Sequence, residues 1–313
     1  MQLTRPNIYL TSDCEDFINP KSMFALRHIL ELLQKYDVKA IFFITGHIAE
    51  KMRDFPNILD MIKDHEIGYH SSAHSVRPTI VEYTDIKDYG LAREISLKRE
   101  TSHINPLTGE CEGKGGIILL KALFPKNEIV SFRAPGFCWS PPHLEALKEL
   151  GIRFDFSTNL SPTSISYRGL TFYPSANLID IINIRRYRII LRTLIKLTPA
   201  VLLFHPHYFV NAEDWDTTYF SGNPKRLCQV KQRNCKDTKA ILRKFELFLK
   251  HFSSLQKTGM LEITPSLEKS RKELIFTKEN AIKAYQISIS WAKNSFGYNP
   301  KFIRKHFEKF FNV

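Results

Sequence analysis

Residues 8–16 have the sequence Ile-Tyr-Leu-Thr-Ser-Asp-Cys-Glu-Asp, an apolar run that ends in an acidic cluster. A short apolar run bounded by polar residues predicts a buried strand over Ile8–Thr11. Apolar residues at helical spacing follow over Lys21–Tyr36, and a second apolar run covers Lys39–Thr45. A strand, a helix and another strand in this order predict a parallel βαβ unit.

The same alternation continues along the chain. A helical stretch is expected to about Lys63, and Asp237–Phe252 has the pattern of an amphipathic helix. The further predicted strands are Glu66–Tyr69, Ile129–Phe132, Ile152–Phe156, Leu178–Ile182, Ala200–Phe204 and Met260–Ile263. Seven or eight such units fit one α/β barrel better than two domains.

The strand pattern stops after Ile263. Residues 278–294 and 301–311 are predicted to form two further helices. We therefore expect a barrel domain of about seven strands over residues 1–265, and a basic helical tail over residues 266–313 that packs on it.

The formal net charge of +13 is unevenly distributed. From Lys225 to Val313 the chain has 20 Lys and Arg against 7 Asp and Glu, whereas the residues before Lys225 are neutral overall. A basic segment beside a neutral body indicates contact with a polyanion or an anionic membrane, or a solvated lysine-rich surface. One segment could form a basic amphipathic helix at a membrane or an outer barrel helix; its cationic residues are Arg185, Arg186, Arg188, Arg192 and Lys196.

The N-terminal sequence has no apolar stretch typical of a signal peptide, and no apolar run approaches the roughly 20 residues needed to span a bilayer. The five cysteines are odd in number and scattered, which fits a reducing compartment. We therefore expect a cytoplasmic protein, with a peripheral position at the inner face of the membrane as an option. No nucleic-acid-binding motif is present, so nucleic acid is not an expected partner.

Residues suited to metal and acid–base chemistry follow the predicted strands. Asp13, His70, Arg133, Asp155 and His205 each come after an apolar strand-like run. In a parallel barrel, the carboxyl ends of the strands share one face, where active sites lie. We therefore expect these five side chains to meet.

The spacing of His70 and His74 suits two ligands of one metal ion. With a carboxylate as third ligand, a zinc site keeps one position open for water, as catalytic sites do. Hydrolysis also needs a base and an acid. Asp13 can be the base beside Arg133, and His205 can be the acid if a carboxylate orients it. Each residue alone would have an ordinary structural explanation, such as a salt bridge or a core histidine.

The ordered set resembles the five motifs of the NodB-homology polysaccharide deacetylases, a carbohydrate esterase family, over roughly residues 6–265. The resemblance implies a distorted, incomplete (β/α) barrel and metal-dependent removal of N-acetyl groups from amino sugars. It implies Asp13 as catalytic base, His70 and His74 as metal ligands and Arg133 as the partner of the base. It also implies that His205 is the general acid and that Asp155 tethers it.

Two positions depart from the family pattern. The first motif commonly has two adjacent aspartates, but Cys14 stands at the second position here. Some members have a D-x-E arrangement, so Glu15 is favoured as the third metal ligand, with Asp16 as the alternative. His207 is a second candidate for the acid beside His205.

The expected function is therefore the removal of an N-acetyl or N-formyl group from an amino sugar by an enzyme with one divalent metal ion, with Zn²⁺ favoured. A lipid- or nucleotide-linked glycan intermediate is the expected substrate. One alternative is the hydrolysis of a small non-sugar amide or cyclic imide. The other is a non-catalytic glycan or nucleic-acid binder.

Overall fold

The computed structural model describes residues 7–74, 85–157, 164–174, 178–180, 200–215, 229–258, 262–263, 267 and 301–312, with single positions between 279 and 293. Its strands are β1 (Asn7–Cys14), β2 (Ile41–Ile44), β3 (Glu66–Tyr69), β4 (Ser102–Ile104), β5 (Cys111–Lys114), β6 (Ser131–Phe132), β7 (Phe154–Asp155), β8 (Ile165–Tyr167), β9 (Leu170–Phe172), β10 (Leu178–Asp180), β11 (Ala200–Phe204) and β12 (Glu262–Ile263). The α-helices cover Pro20–Lys35, Gly46–Met52, Pro56–Ile62, Tyr89–Glu100, Gly116–Leu123, Pro141–Glu149, Cys235–Lys257 and Ile303–Phe311.

One large sheet organises the molecule, with the strand order β10-β11-β1-β2-β3-β6-β7-β9-β8. All neighbours along this path are parallel except β8 and β9. β12 joins the beginning of β1, where Ile8 lies opposite Ile263. Among the described strands, the end strands β10 and β8 are not paired with each other, so the sheet is a barrel that does not close. This architecture confirms the predicted incomplete (β/α) barrel, with more than the predicted seven or so strands.

The central strands form because their residues are apolar on both faces. All four residues of β2 are buried, as expected for a parallel sheet covered by helices. The helix Pro20–Lys35 begins with a proline, which is favourable at the first helical position, and it packs Met23, Ile29 and Leu33 into the core.

Several predicted boundaries agree with the structure. Strands β3 and β11 begin and end at the predicted residues. The helical stretch expected to about Lys63 is two helices, Gly46–Met52 and Pro56–Ile62. They are separate because Phe55 precedes a proline and has a non-helical backbone (φ −129°, ψ 68°).

Other elements were not predicted. These are the helices Tyr89–Glu100, Gly116–Leu123 and Pro141–Glu149, and the antiparallel hairpins β4–β5 and β8–β9. In the second hairpin, Arg168 and Gly169 both have positive φ (48° and 78°), as a tight two-residue turn requires.

The C-terminal helices cover apolar surface. Cys235–Lys257 buries Phe245, Phe248 and Phe252, each of which contributes roughly 1.5–3 kcal/mol of transfer free energy. In the predicted tail, the helix Ile303–Phe311 is present, and Phe307 lies 4.7 Å from Trp139 between ring centroids. The helix Ile303–Phe311 therefore packs against Trp139.

Two expectations lie outside the described residues: the domain boundary at residue 265 and the basic segment 185–196, so both stay predictions. Within the described part of the chain, no helix is long and apolar enough to cross a membrane.

Candidate metal centre and active site

The end of strand β1 brings two carboxylates to one site. Side chains alternate along a strand, so Thr11 and Asp13 point to the opposite side from Cys14. Glu15 is the first residue after β1, and it lies on the side of Asp13, since both carboxylates approach Nε2 of His205. Asp13 and Glu15 are buried at the carboxyl end of the sheet. The D-x-E spacing thus puts both acids in one site.

The histidines His70 and His74, here called the β3 pair, directly follow strand β3. Their Nε2 atoms lie 3.2 Å and 2.8 Å from the same oxygen, Oε2 of Glu15. All three side chains are buried, and their candidate ligand atoms lie within 4.8 Å of one another. Two imidazoles and one carboxylate are a donor set typical of catalytic zinc.

The hydrogen bonding of His70 tests whether a cation fits here. Its Nδ1 lies 2.7 Å from the carbonyl oxygen of Arg133, which can only accept, so Nδ1 donates. In a neutral ring, Nε2 then directs a lone pair at Glu15. Two electron-rich atoms 3.2 Å apart require a proton or a metal ion between them, so the residues present fit a divalent metal ion.

The pKa of Glu15 agrees with this arrangement. Burial raises the pKa of the carboxyl, but the neighbouring His74, His205 and His70 outweigh it and hold the pKa well below its ordinary value. The carboxyl of Glu15 is therefore ionised in this site.

Arg133 lies directly after β6 and fixes Asp13. Its Nη1 donates to Oδ1 of Asp13 at 2.7 Å, and its Nη2 donates to Oγ1 of Thr11 at 3.0 Å. The guanidinium also lies 4.5 Å from the ring centroid of Phe43. Arg133 is fully buried, so the ion pair is shielded from solvent.

His205 and His207, here called the β11 pair, follow strand β11 and face the other oxygen of Glu15. The distances to Oε1 are 3.9 Å from Nε2 of His205 and 3.6 Å from Nε2 of His207. His205 Nε2 also lies 3.8 Å from Oδ2 of Asp13. Burial lowers the pKa of His207 to about 4. The side chain of His205 is 12% exposed, whereas that of His207 is 2% exposed.

The two other candidates in the acidic cluster have structural roles. The carboxylate of Asp16 accepts hydrogen bonds from Asn19, Ser22 and Asn211, which anchor the start of the helix Pro20–Lys35. The thiol of Cys14 is buried in the apolar core, and burial raises its pKa. In this geometry Glu15, and neither Asp16 nor Cys14, faces the β3 pair.

Asp155 does not make the expected contact with His205. Among the described residues, Nδ1 of His205 has no hydrogen-bond partner. Asp155 Oδ2 instead accepts from Oγ of Ser157 at 2.8 Å, and the same hydroxyl oxygen accepts from the backbone N–H of Ala134 at 2.7 Å. Asp155 thus supports the backbone next to Arg133.

Trp215 belongs to the site although no sequence signal indicated it. Its buried ring lies 5.2 Å from that of His74 and 5.8 Å from that of His207, between centroids. It therefore forms an apolar wall that touches both histidine pairs. A lone tryptophan after the last motif has no periodic pattern that would reveal this position.

The family model that matches the chain describes the polysaccharide deacetylases, and it covers residues 2–154. The matched residues are just under half of the chain, and over them the chain is similar to the polysaccharide deacetylases. The deacetylase match includes Asp13, Glu15, the β3 pair and Arg133, while Asp155 and the β11 pair lie beyond it.

Solved structures resemble this chain in fold. A 4-alpha-glucanotransferase from Thermococcus litoralis is 16% identical, with 83% of this chain and 39% of that chain covered and a TM-score of 0.50. A family 4 carbohydrate esterase from Bacillus anthracis is 18% identical, with coverages of 83% and 80% and a TM-score of 0.40.

A family 4 pseudoenzyme from Bacillus anthracis is 16% identical and has a TM-score of 0.40. The match covers 80% of the present chain and 62% of the pseudoenzyme, which is under two thirds of its length. No curated protein matches the chain by sequence.

Proposed function

We propose that this protein is a metal-dependent amide hydrolase that removes an N-acetyl or N-formyl group from an amino sugar. The observation that carries the proposal is the convergence of His70, His74 and one oxygen of Glu15 beside the buried Asp13–Arg133 ion pair. This arrangement combines a metal-binding donor set with a carboxylate that can accept a proton.

The ligands in this proposal are His70, His74 and Glu15, with Zn²⁺ as the favoured ion because two imidazoles and a carboxylate suit it. A bound divalent ion would polarise the amide carbonyl and lower the pKa of a water molecule towards about 7. The carbonyl of Arg133 keeps the ring of His70 in one tautomer and orientation.

Asp13 is the general base. Arg133 takes up Oδ1, which leaves Oδ2 directed at the space between the two histidine pairs, 4.0 Å from His70 and 3.8 Å from His205. A base must lie within hydrogen-bond reach of the proton that it removes, directly or through one water. In this proposal, Oδ2 receives the proton of an attacking water in that space.

His205 is the general acid, which protonates the departing amine. Its Nε2 faces the same space from the β11 side, and it is the more exposed histidine of that pair. An acid that serves a bulky sugar amine must be reachable from the substrate side, which favours His205 over His207. Asp155 acts through Ser157 and Ala134 on the segment that carries Arg133.

The proposed substrate is a lipid- or nucleotide-linked amino sugar. Both classes have a diphosphate group, and a chain with a net charge of +13 attracts anionic ligands. The excess of basic residues lies in the last quarter of the chain, so we place the contact with the phosphates there.

The test measures bound metal and acetate or formate release on a panel of acetamido and formamido sugars. The panel contains nucleotide-linked, lipid-linked and unlinked sugars, with simple amides and cyclic imides as the comparison class. We expect one metal ion per chain and turnover of a linked sugar. Turnover of only the non-sugar amides would overturn the substrate proposal, and a metal-free protein with full activity would overturn the site.

A further inference from the structure

Glu100 is a fully buried carboxylate behind the loop His70–His74, here called the histidine loop. It is the last residue of the helix Tyr89–Glu100. Its oxygens accept from the hydroxyl of Tyr69 at 2.6 Å, from Oγ of Ser71 at 2.9 Å and from the backbone N–H of Ser72 at 2.8 Å. Burial of a carboxylate is costly unless such partners replace water.

The three groups held by Glu100 surround His70 in the sequence. Ser71 has a φ of +69°, a left-handed conformation that is unfavourable for residues other than glycine. The two hydrogen bonds from Ser71 and Ser72 to one carboxylate stabilise this turn. This backbone conformation brings the side chains of His70 and His74 to the same side of the histidine loop, so that both reach Glu15.

The histidine loop is also held from a second side. The backbone N–H groups of Gly46 and His47, at the start of the helix Gly46–Met52, donate to the carbonyls of Ser71 and Ser72. Gly46 has no room for a side chain, since a Cβ there would lie 2.6 Å from the Ser72 carbonyl oxygen. Among the groups that hold the histidine loop from these two sides, Glu100 is the charged one.

His143 connects Glu100 to β6, the strand that precedes Arg133. Its Nε2 lies 2.8 Å from Oε1 of Glu100, and both side chains are buried. The ring of His143 also packs edge-on against Phe132, which precedes Arg133. Burial raises the pKa of Glu100, but the hydrogen bonds from His143, Tyr69 and Ser71 outweigh it and lower the pKa below its ordinary value.

We propose that Glu100 is a positioning residue that sets the metal affinity of the β3 pair by holding the histidine loop, with His143 as its partner. The inference rests on the proposed metal site. Partners behind metal ligands fix the orientation of those ligands, and their replacement typically weakens metal binding by about 10- to 100-fold. Neither Glu100 nor His143 belongs to the motifs that the sequence revealed.

The test is the Zn²⁺ dissociation constant of the full chain after replacement Glu100→Gln, which keeps the shape but turns one acceptor into a donor. We expect binding to weaken by about 10- to 100-fold at a temperature where circular dichroism shows a folded protein. The ligand-field spectrum of bound Co²⁺ should shift as well, because the angle between the two imidazoles changes. A merely structural role would lower the melting temperature and leave both readouts unchanged.

The matched control is Glu50→Gln. Glu50 also pairs with a histidine, His103, at 2.6 Å, and neither residue lies in the histidine loop. The control should bind Zn²⁺ as the wild type does. Equal affinities and Co²⁺ spectra for Glu100→Gln and the control would overturn the inference while the metal site stands.

Two further outcomes are decisive. If the wild type binds no metal, the proposed metal site and this inference fall together. If Glu100→Gln does not fold, Ser71→Ala removes a single hydrogen bond to the same carboxylate, and we expect a smaller weakening of Zn²⁺ binding. An unchanged dissociation constant in Ser71→Ala would then overturn the inference.

Discussion

The two histidine pairs face opposite oxygens of Glu15 and differ in how they are held. In the β3 pair, His70 is fixed by the carbonyl of Arg133, and the loop between the histidines is anchored by Glu100. In the β11 pair, Nδ1 of both histidines has no hydrogen-bond partner within the described part of the chain. Both pairs therefore face the carboxylate of Glu15, but among the described residues the hydrogen bonds that hold the β3 pair have no counterpart at Nδ1 of the β11 pair.

The difference matches the tasks that we propose for them. Metal ligands need fixed orientations, because affinity depends on the placement of lone pairs. A proton donor needs access to the leaving group and a ring that can gain and lose a proton. The β3 pair has the first property, and His205 has the second.

The largest effect is expected for His70→Ala. Loss of one of three ligands should remove the bound metal and lower kcat/KM by on the order of 10³-fold or more, because activation of water is lost. Metal content and acetate release measure this. The control His28→Ala changes a half-exposed histidine on the helix Pro20–Lys35 and should leave both unchanged. Retention of metal by His70→Ala would break the distinction between the two pairs.

Asp13 lies between the pairs, and Asp13→Asn should separate binding from chemistry. The amide keeps the contact with Arg133 but cannot act as a base, so kcat should fall by about 10²- to 10⁴-fold with the metal still bound. Single-turnover rates and metal content at equal occupancy check this. A variant with wild-type kcat would remove Asp13 from the base role.

Replacement within the β11 pair should affect turnover more than metal binding. We expect His205→Ala to lower kcat by about 10²-fold with the metal content unchanged, since the amine leaves without a donor. His207→Ala, at the buried position, should have a smaller effect on kcat. The reverse order of the two variants would assign the acid role to His207.

The site residues that lie at or directly after the ends of strands could be predicted from the sequence. Period-2 alternation, continued one residue beyond β1, predicts Asp13 and Glu15 on one side, and the apolar runs before His70 and Arg133 predict their positions. The predicted roles of these residues stay proposals. The predicted link between Asp155 and His205 depended on side-chain orientation, which no sequence pattern contains.

The support behind the site could not be predicted. The helix Tyr89–Glu100 buries Tyr89, Ala92, Ser96 and Glu100, a stripe at helical spacing made mostly of small and polar residues. Hydrophobic periodicity does not detect such a stripe. The only local signal is Asp88, whose side chain accepts from the N–H of Leu91 at the start of this helix.

The smallest effect concerns Glu66, the first residue of β3, which is at the other end of the strand from the β3 pair. Burial, with a contribution from Glu128, raises the pKa of Glu66 to about 7. The folded state therefore keeps a proton that the unfolded chain releases near pH 4.3, so the stabilisation from this group falls as the pH rises to about 7.

We expect Glu66→Gln to remove this loss. The melting temperature of Glu66→Gln minus that of the wild type should be more positive at pH 8 than at pH 5. The affinity for Zn²⁺ should be unchanged. The exposed control Glu31→Gln should show no such pH dependence. A difference in melting temperature that is equal at both pH values would contradict the prediction.

The central claim is that Glu15 holds one divalent ion together with His70 and His74. Titration of the metal-free protein with Zn²⁺ by calorimetry tests it most directly, in the wild type, Glu15→Gln and Cys14→Ala. We predict one ion per chain in the wild type and in Cys14→Ala, and binding at least ~100-fold weaker in Glu15→Gln, because a charged ligand is lost. Binding of Zn²⁺ by Glu15→Gln with wild-type affinity and stoichiometry would contradict the claim.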